Sequence, residues 1–162
     1  MIKNIKKIVV VGAVSTAGAY WGYRMGRKYL FTSKQEEIDV VARTIWGEAR
    51  GEGIQGMRAV ANVIKNRVNA RSWYGATFED VCKKPLQFSC WNTSDPNYNK
   101  LLAVNTTDPQ FVQALTIARE TVDGTLLDNT GGATNYHAKT VYPSWAASLT
   151  KTAVIGNHIF YA

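Results

Sequence analysis

The sequence predicts one mixed domain, α/β in the broad sense and α+β in arrangement, with helices first and short antiparallel strands last. Three observations carry this. Apolar residues recur at helical spacing in three separate stretches before Gly124. Beyond Gly124 the pattern shortens to strand-like segments punctuated by Gly131-Gly132, Pro143 and Gly156. A length of 162 residues suits one domain with a real core rather than two.

The start of the chain stands apart. Residues 1–35 carry seven basic residues (Lys3, Lys6, Lys7, Arg24, Arg27, Lys28, Lys34) and no acid. Ile8 to Tyr23 runs without a charge, and Arg24, Arg27 and Lys28 close it. A basic start, an apolar stretch and an Ala17-Gly18-Ala19 triplet match a secretory signal. The stretch is short for a span of about 20 residues, and Gly12, Ser15, Thr16 and Gly18 dilute it. A cleaved signal peptide, a permanent anchor and a releasable anchor all remain open, with the inner membrane as the partner of residues 8–23. A buried core helix suits the flanking charges less well. The expected organisation is residues 1–28 as a signal or signal-anchor segment, 29–37 as a polar hinge, and 38–162 as the domain.

The net charge of +7 invites a nucleic-acid partner, yet the excess lies in that leader. In residues 36–162 the basic and acidic residues balance, so the domain itself lacks a basic face and no nucleic acid is expected. Overall composition, 46% hydrophobic and 19% charged, is that of an ordinary globular protein.

Within the domain, Ile38, Val41, Ala42, Ile45 and Ala49 make one apolar stripe, predicting a helix from about Ser33 or Lys34 to Arg50, where Gly51 and Gly53 break it. A second helix is expected over Gln55–Val68, with Met57, Val60, Ala61, Ile64 and Val68 inward. Residues 69–107 read as loop-rich. A third helix opens on Asp108 as N-cap with Pro109 in its first turn, buries Phe111, Val112, Leu115, Ala118 and Val122, and stops at Gly124. Strands are expected around Thr134–Ala138 and within Thr152–Tyr161.

The residue types then suggest chemistry. Glu48 sits in the last turn of the first helix, at the border of its apolar stripe. A carboxyl so placed suits proton donation to a glycosidic oxygen. Gly47 beside it offers a close approach to a bulky substrate. Glu52, four residues on, is a possible second carboxylate; pairing with Arg50 or Arg58, or capping the next helix, is the plainer reading. Trp46, Trp91, Tyr136, Tyr142 and Trp145 lie among polar loop residues, where aromatic faces suit sugar rings. His137 is a candidate for the same groove and His158 for a structural role. Cys82 and Cys90 fit an exported protein with one disulfide, two buried thiols being the alternative. No metal-ligand spacing, phosphate loop, nucleotide fingerprint or nucleophile-elbow serine is present, so no metal or cofactor is expected.

The run from Ala42 to Gly53, containing Trp46-Gly47-Glu48-Ala49-Arg50-Gly51-Glu52, resembles the opening of the SleB-type cell wall hydrolase domain of spore cortex-lytic enzymes. Gln55-Gly56-Met57, Val60-Ala61-Asn62-Val63-Ile64 and Asn66-Arg67-Val68 continue the likeness. So do Pro85-Leu86-Gln87-Phe88-Ser89-Cys90-Trp91-Asn92, Gly131–Ala138, Pro143-Ser144-Trp145-Ala146 and Ile155–Tyr161. The resemblance implies a lysozyme-related fold. It also implies cleavage of peptidoglycan glycan strands between N-acetylmuramic acid and N-acetylglucosamine, mostly as a lytic transglycosylase. By it Glu48 is the catalytic acid/base, and Trp46, Gln87, Phe88, Trp91, Tyr136, His137 and Trp145 line the substrate site. Members often carry His-Tyr-His where this chain has Asn135-Tyr136-His137. The leader resembles, in composition, the signal-arrest-release anchors of phage endolysins, which implies an exported lysis enzyme. A non-catalytic wall-binding module and a cysteine amidase or peptidase using Cys82 or Cys90 with His137 are the alternatives.

Overall fold

The computed structural model describes residues 16–162. Five α-helices and three strands occur there: α1 (Thr16–Ala49), α2 (Gly53–Ala70), α3 (Phe78–Lys83), α4 (Tyr98–Ala103), α5 (Pro109–Val122), β1 (Asn135–Ala138), β2 (Lys151–Ile155) and β3 (His158–Tyr161). Two short 3₁₀ turns, Ser89–Trp91 and Ser144–Ser148, complete the set. From Lys34 onward the chain forms one compact unit.

Residues 29–37, expected as a hinge, lie inside α1. Tyr29 to Glu37 contains neither glycine nor proline, and polarity alone does not stop a helix. The proposed membrane stretch, residues 8–23, falls outside the described residues as far as position 15. Among the described residues no helix is long and apolar enough to cross a membrane.

The ends of the other helices follow from the sequence. Asp108 accepts a hydrogen bond from the Phe111 backbone N–H at 2.9 Å, and Pro109 fills the first turn of α5. Thr77 and Asp80 form a reciprocal capping box that starts α3 inside the stretch expected as loop. Gly124, with φ of +76°, follows the end of α5.

Packing centres on α2. Its Met57, Val60, Ala61 and Ile64 join Val41 and Ile45 of α1, Val81, Leu101, and Phe111, Ala114 and Ile117 of α5 in the main core. Ala59 and Val63 pack instead with Ala133 and Phe160, which seats the sheet on α2. Burial of each Val, Ile, Leu, Met or Phe side chain there contributes about 1.5–3 kcal/mol. The sheet has strand order β1-β3-β2, antiparallel throughout, with Tyr136 opposite Phe160 and Val154 opposite Ile159. Gly156, at φ of +57°, turns β2 into β3.

Candidate active site

Glu48 occupies the last turn of α1 and is partly buried. One carboxylate oxygen, Oε1, accepts the Cys90 backbone N–H at 3.1 Å. The other, Oε2, accepts the Tyr136 hydroxyl at 2.9 Å. Two segments distant in sequence, the 3₁₀ turn after Phe88 and strand β1, thus meet on one carboxylate.

Strand alternation explains which face of β1 reaches Glu48. Tyr136 stacks on Phe160 at 5.6 Å between ring centroids and meets the edge of His158, on the side facing α2. His137 points the other way, stacked on Tyr161 and edge-on to Trp145 and Tyr142. Its Nε2 meets the Tyr161 hydroxyl at 3.0 Å and its Nδ1 the Ala138 carbonyl at 2.9 Å. Burial, and then the neighbouring Glu48 carboxylate, holds the Tyr136 phenol well above its usual pKa. It is therefore a hydrogen-bond donor throughout the physiological range.

A groove of about 590 Å³ runs past Tyr136, with Arg67, Trp73, Leu86, Gln87 and Trp145 among its lining residues. Gln87 is locked in place: its Nε2 donates to the Tyr74 carbonyl at 2.7 Å and its Oε1 accepts from Arg67 at 3.0 Å. Of the seven residues expected to line the substrate site, Gln87, Tyr136 and Trp145 line this groove, and His137 packs behind Trp145.

The other three lie elsewhere. Trp46 is 6% exposed, belongs to the core and carries the Arg50 guanidinium over its ring at 4.4 Å. Two helical positions before Glu48, it projects roughly 200° away around the axis. Phe88 is 1% exposed and is a core residue beneath Arg67. Trp91 donates its indole N–H to Thr44 at 2.9 Å and lines a separate cavity of about 610 Å³ with Asp39, Glu79 and Lys83. These aromatics stabilise the fold around the site rather than offering their faces to this groove.

Glu52 pairs with neither Arg50 nor Arg58. Its carboxylate accepts the Asn157 backbone N–H at 2.7 Å and the Asn157 amide at 3.1 Å, holding the β2–β3 turn. The turn approaches so closely that a Cβ on Gly156 would sit 2.2 Å from Glu52 Oε2. Arg58 pairs with Glu120, and Arg50 reaches Asn97.

Gly47 serves packing rather than substrate approach. A Cβ there would lie 2.7 Å from the Cys90 Cβ and 2.9 Å from its Sγ. Cys82 and Cys90 are both free and buried, as in the alternative to the expected disulfide. Burial pushes the Cys82 thiol up to about 12, and burial together with Glu48 pushes the Cys90 thiol up further. Neither is an activated nucleophile. With His137 engaged by Tyr161, a cysteine peptidase or amidase has no support here.

Sequence reasoning missed Arg67, Trp73 and Tyr74. Arg67 was visible as a charge two turns beyond Val60 and one beyond Ile64, where a buried stripe continues. It is 6% exposed.

The cell wall hydrolase family profile matches residues 51–161. The chain belongs to the cell wall hydrolase family. Glu48 lies just ahead of the matched span, so its role rests on the geometry around it. The spore cortex-lytic enzyme of Halalkalibacterium halodurans is 34% identical over 128 residues, covering 76% of this chain and 34% of that protein. The spore cortex-lytic enzyme of Bacillus cereus is 32% identical over 127 residues, covering 78% and 44%. This hydrolase-family chain thus spans less than half the length of those relatives. Among solved structures, the catalytic domain of Bacillus cereus SleB superposes with a TM-score of 0.61 at 28% identity, over 79% of this chain and 91% of that one. The catalytic domain of the germination-specific lytic transglycosylase SleB from Bacillus anthracis gives the same score and identity, over 79% and 95%. The helix-rich architecture with a small antiparallel sheet is theirs too.

Proposed function

We propose that this cell wall hydrolase cleaves peptidoglycan glycan strands between N-acetylmuramic acid and N-acetylglucosamine, as a lytic transglycosylase with Glu48 as its acid/base. The carrying observation is the Glu48 carboxylate held at both oxygens, by the Cys90 N–H and the Tyr136 hydroxyl, beside an aromatic-lined groove. The name of the Bacillus anthracis relative, a lytic transglycosylase, favours the same reaction.

Protonated Glu48 gives its proton to the glycosidic oxygen as the bond from that oxygen to the muramic C1 breaks. Positive charge develops on the muramic ring. The C6 hydroxyl of the same sugar then bonds to C1, and its proton passes to the Glu48 carboxylate, regenerating the acid. One carboxylate completes this cycle, which suits a site where Glu52 is tied to Asn157. Mass spectrometry of products from purified glycan strands tests the reading. Anhydromuramic ends support it, reducing ends mean a lysozyme-type hydrolysis, and intact strands leave a wall-binding module.

Residues 1–28 are proposed to carry the domain out of the cytoplasm, either cleaved or as a releasable anchor, in the manner of a phage endolysin. Lys3, Lys6 and Lys7 favour a cytoplasmic N-terminus. Changing Gly12, Ser15, Thr16 and Gly18 to Leu is expected to trap the enzyme in the membrane and delay lysis. Lysis from inside by a chain lacking residues 1–28, without a holin, would refute export by this segment.

A further inference from the structure

Arg67 is a buried cation with no acid in ion-pair contact among the described residues. It stands on α2, 6% exposed, and lines the same groove as Tyr136. Of the five N–H donors on a guanidinium, Nε donates to the Thr134 carbonyl at 2.7 Å and Nη1 to Gln87 Oε1 at 3.0 Å. Nη2 makes no hydrogen bond within the described residues. Tyr74 and Phe88 present their rings to the guanidinium at 5.1 and 5.0 Å. Arg43 and Arg58 each pair with a carboxylate, whereas Arg67 forms no ion pair among the described residues. Burial pulls its pKa below the usual arginine value, opposed by Tyr136, Tyr74, Cys82 and, at longer range, the Glu48 carboxylate. A buried charge with no carboxylate in contact is costly to a fold, and this one opens onto a cavity.

Resting on the glycan reading of that groove, we propose that Arg67 is its specificity-determining residue, pairing with a carboxylate carried by the bound strand. A guanidinium fork fits a carboxylate with two parallel hydrogen bonds. Trp73 and Trp145 supply the apolar walls that sugar faces need, and Gln87 keeps the fork from turning. The carboxylate has two sources on a muramic residue: the lactyl ether itself when it carries no peptide, or an acid of the attached stem peptide. Both present the same chemistry at the C3 side of the sugar. A neutral acetamido carbonyl, present on every residue of the strand, is the competing ligand for Arg67.

The test uses the full chain carrying Glu48→Gln, which blocks turnover, and follows the fluorescence of Trp73 and Trp145 during titration. The probes are peptide-free glycan oligomers with free lactyl carboxylates, the same oligomers with those carboxylates reduced to alcohols, peptide-bearing strands, and chitin oligomers of equal length. Carboxylate-bearing oligomers are expected to bind about 10- to 100-fold more tightly than reduced or chitin oligomers. Adding Arg67→Met removes that difference, and Arg67→Lys keeps part of it. Should the Met variant fail to fold, the comparison of free and reduced carboxylates on Arg67-containing protein decides alone. A preference for peptide-free strands assigns the lactyl carboxylate, and one for peptide-bearing strands the stem. Equal affinity for all probes, or binding to none, overturns the inference. Cleavage by the unaltered enzyme is scored separately, so anhydromuramic products without a carboxylate preference sink only the role of Arg67.

Discussion

The Tyr136 hydroxyl donates to Glu48 Oε2 at 2.9 Å, joining the second residue of β1 to the last turn of α1 across 88 positions of sequence. Tyr136→Phe deletes this bond while leaving the ring on Phe160 and against His158. A hydrogen bond to a charged group contributes about 1.5–3 kcal/mol. The variant is expected to lose roughly 10- to 100-fold in kcat on purified glycan strands, with KM little changed and the thermal midpoint lowered by several degrees. A fall in KM-limited binding with kcat intact would instead make Tyr136 a sugar contact.

Glu48→Gln keeps the size of the side chain and one acceptor for the Cys90 N–H, but cannot give up a proton. Loss of general acid catalysis is typically worth ~10²–10⁴ in rate. Turbidity clearing of cell walls is expected to fall by at least that lower figure, and the melting temperature to stay within a few degrees. Retention of more than about a tenth of the activity would remove Glu48 from its assigned role.

How much of this the sequence showed depends on the kind of residue. The stripe through Ile38, Val41 and Ile45, the Asp108-Pro109 start and the Gly156 turn were all legible, because each follows from local periodicity or backbone preference. The placement of Glu48 at the stripe's edge was legible too, whereas the acid/base role proposed for it came from the resemblance of the run around it. Trp46, Phe88 and Trp91 were misplaced because an aromatic residue near polar neighbours reads the same whether its face is buried or offered. Only tertiary packing separates the two. Glu52 and Gly47 were misread for a similar reason: their partners, Asn157 and Cys90, lie 105 and 43 positions away. Arg67 was the opposite case, a charge on a buried stripe whose anomaly stood in the sequence.

The free thiols make a sharp chemical prediction. With Cys82 pushed up to about 12 and Cys90 higher still, both by burial, neither is a thiolate near neutral pH. Native protein is expected to resist a thiol-reactive dye for hours, and two equivalents should react promptly after unfolding. Activity should likewise survive thiol blockers. Rapid labelling of the folded enzyme, or a Cys82–Cys90 bridge in non-reducing peptide maps, would contradict the structure.

Glu52 links stability to pH. The Asn157 backbone N–H, chiefly, holds its carboxyl below the usual carboxylate range. A depressed folded pKa means a stabilising contribution that is complete above the unfolded carboxylate pKa of about 4.3. It is lost as pH falls through the lower folded value. Glu52→Ala is therefore expected to melt a few degrees below the parent at pH 7, with the gap closing as pH drops below about 4. Glu52→Gln, which retains an acceptor for Asn157, should fall between them. Activity of the folded variant is expected to persist; a loss matching that of Glu48→Gln would restore a two-carboxylate site.

Gly47→Ala tests whether the Cys90 turn positions the Glu48 carboxylate, the proposed acid/base. The new Cβ would press on the Cys90 Cβ at 2.7 Å, its Sγ at 2.9 Å and Leu101 Cδ1 at 3.1 Å, all within a packed core. Overpacking of this kind costs about 1–3 kcal/mol. Relief by moving the turn outward would also draw the Cys90 N–H away from Glu48 Oε1, now at 3.1 Å. Stability and kcat should therefore fall together. Cys90→Gly removes both sulfur and Cβ but keeps the backbone N–H, so in combination with Gly47→Ala it relieves the two closest contacts. The double variant is expected to recover kcat relative to Gly47→Ala alone, a positive coupling between the two positions. Without that recovery, and with both proteins folded, the Cys90 N–H has no part in holding Glu48.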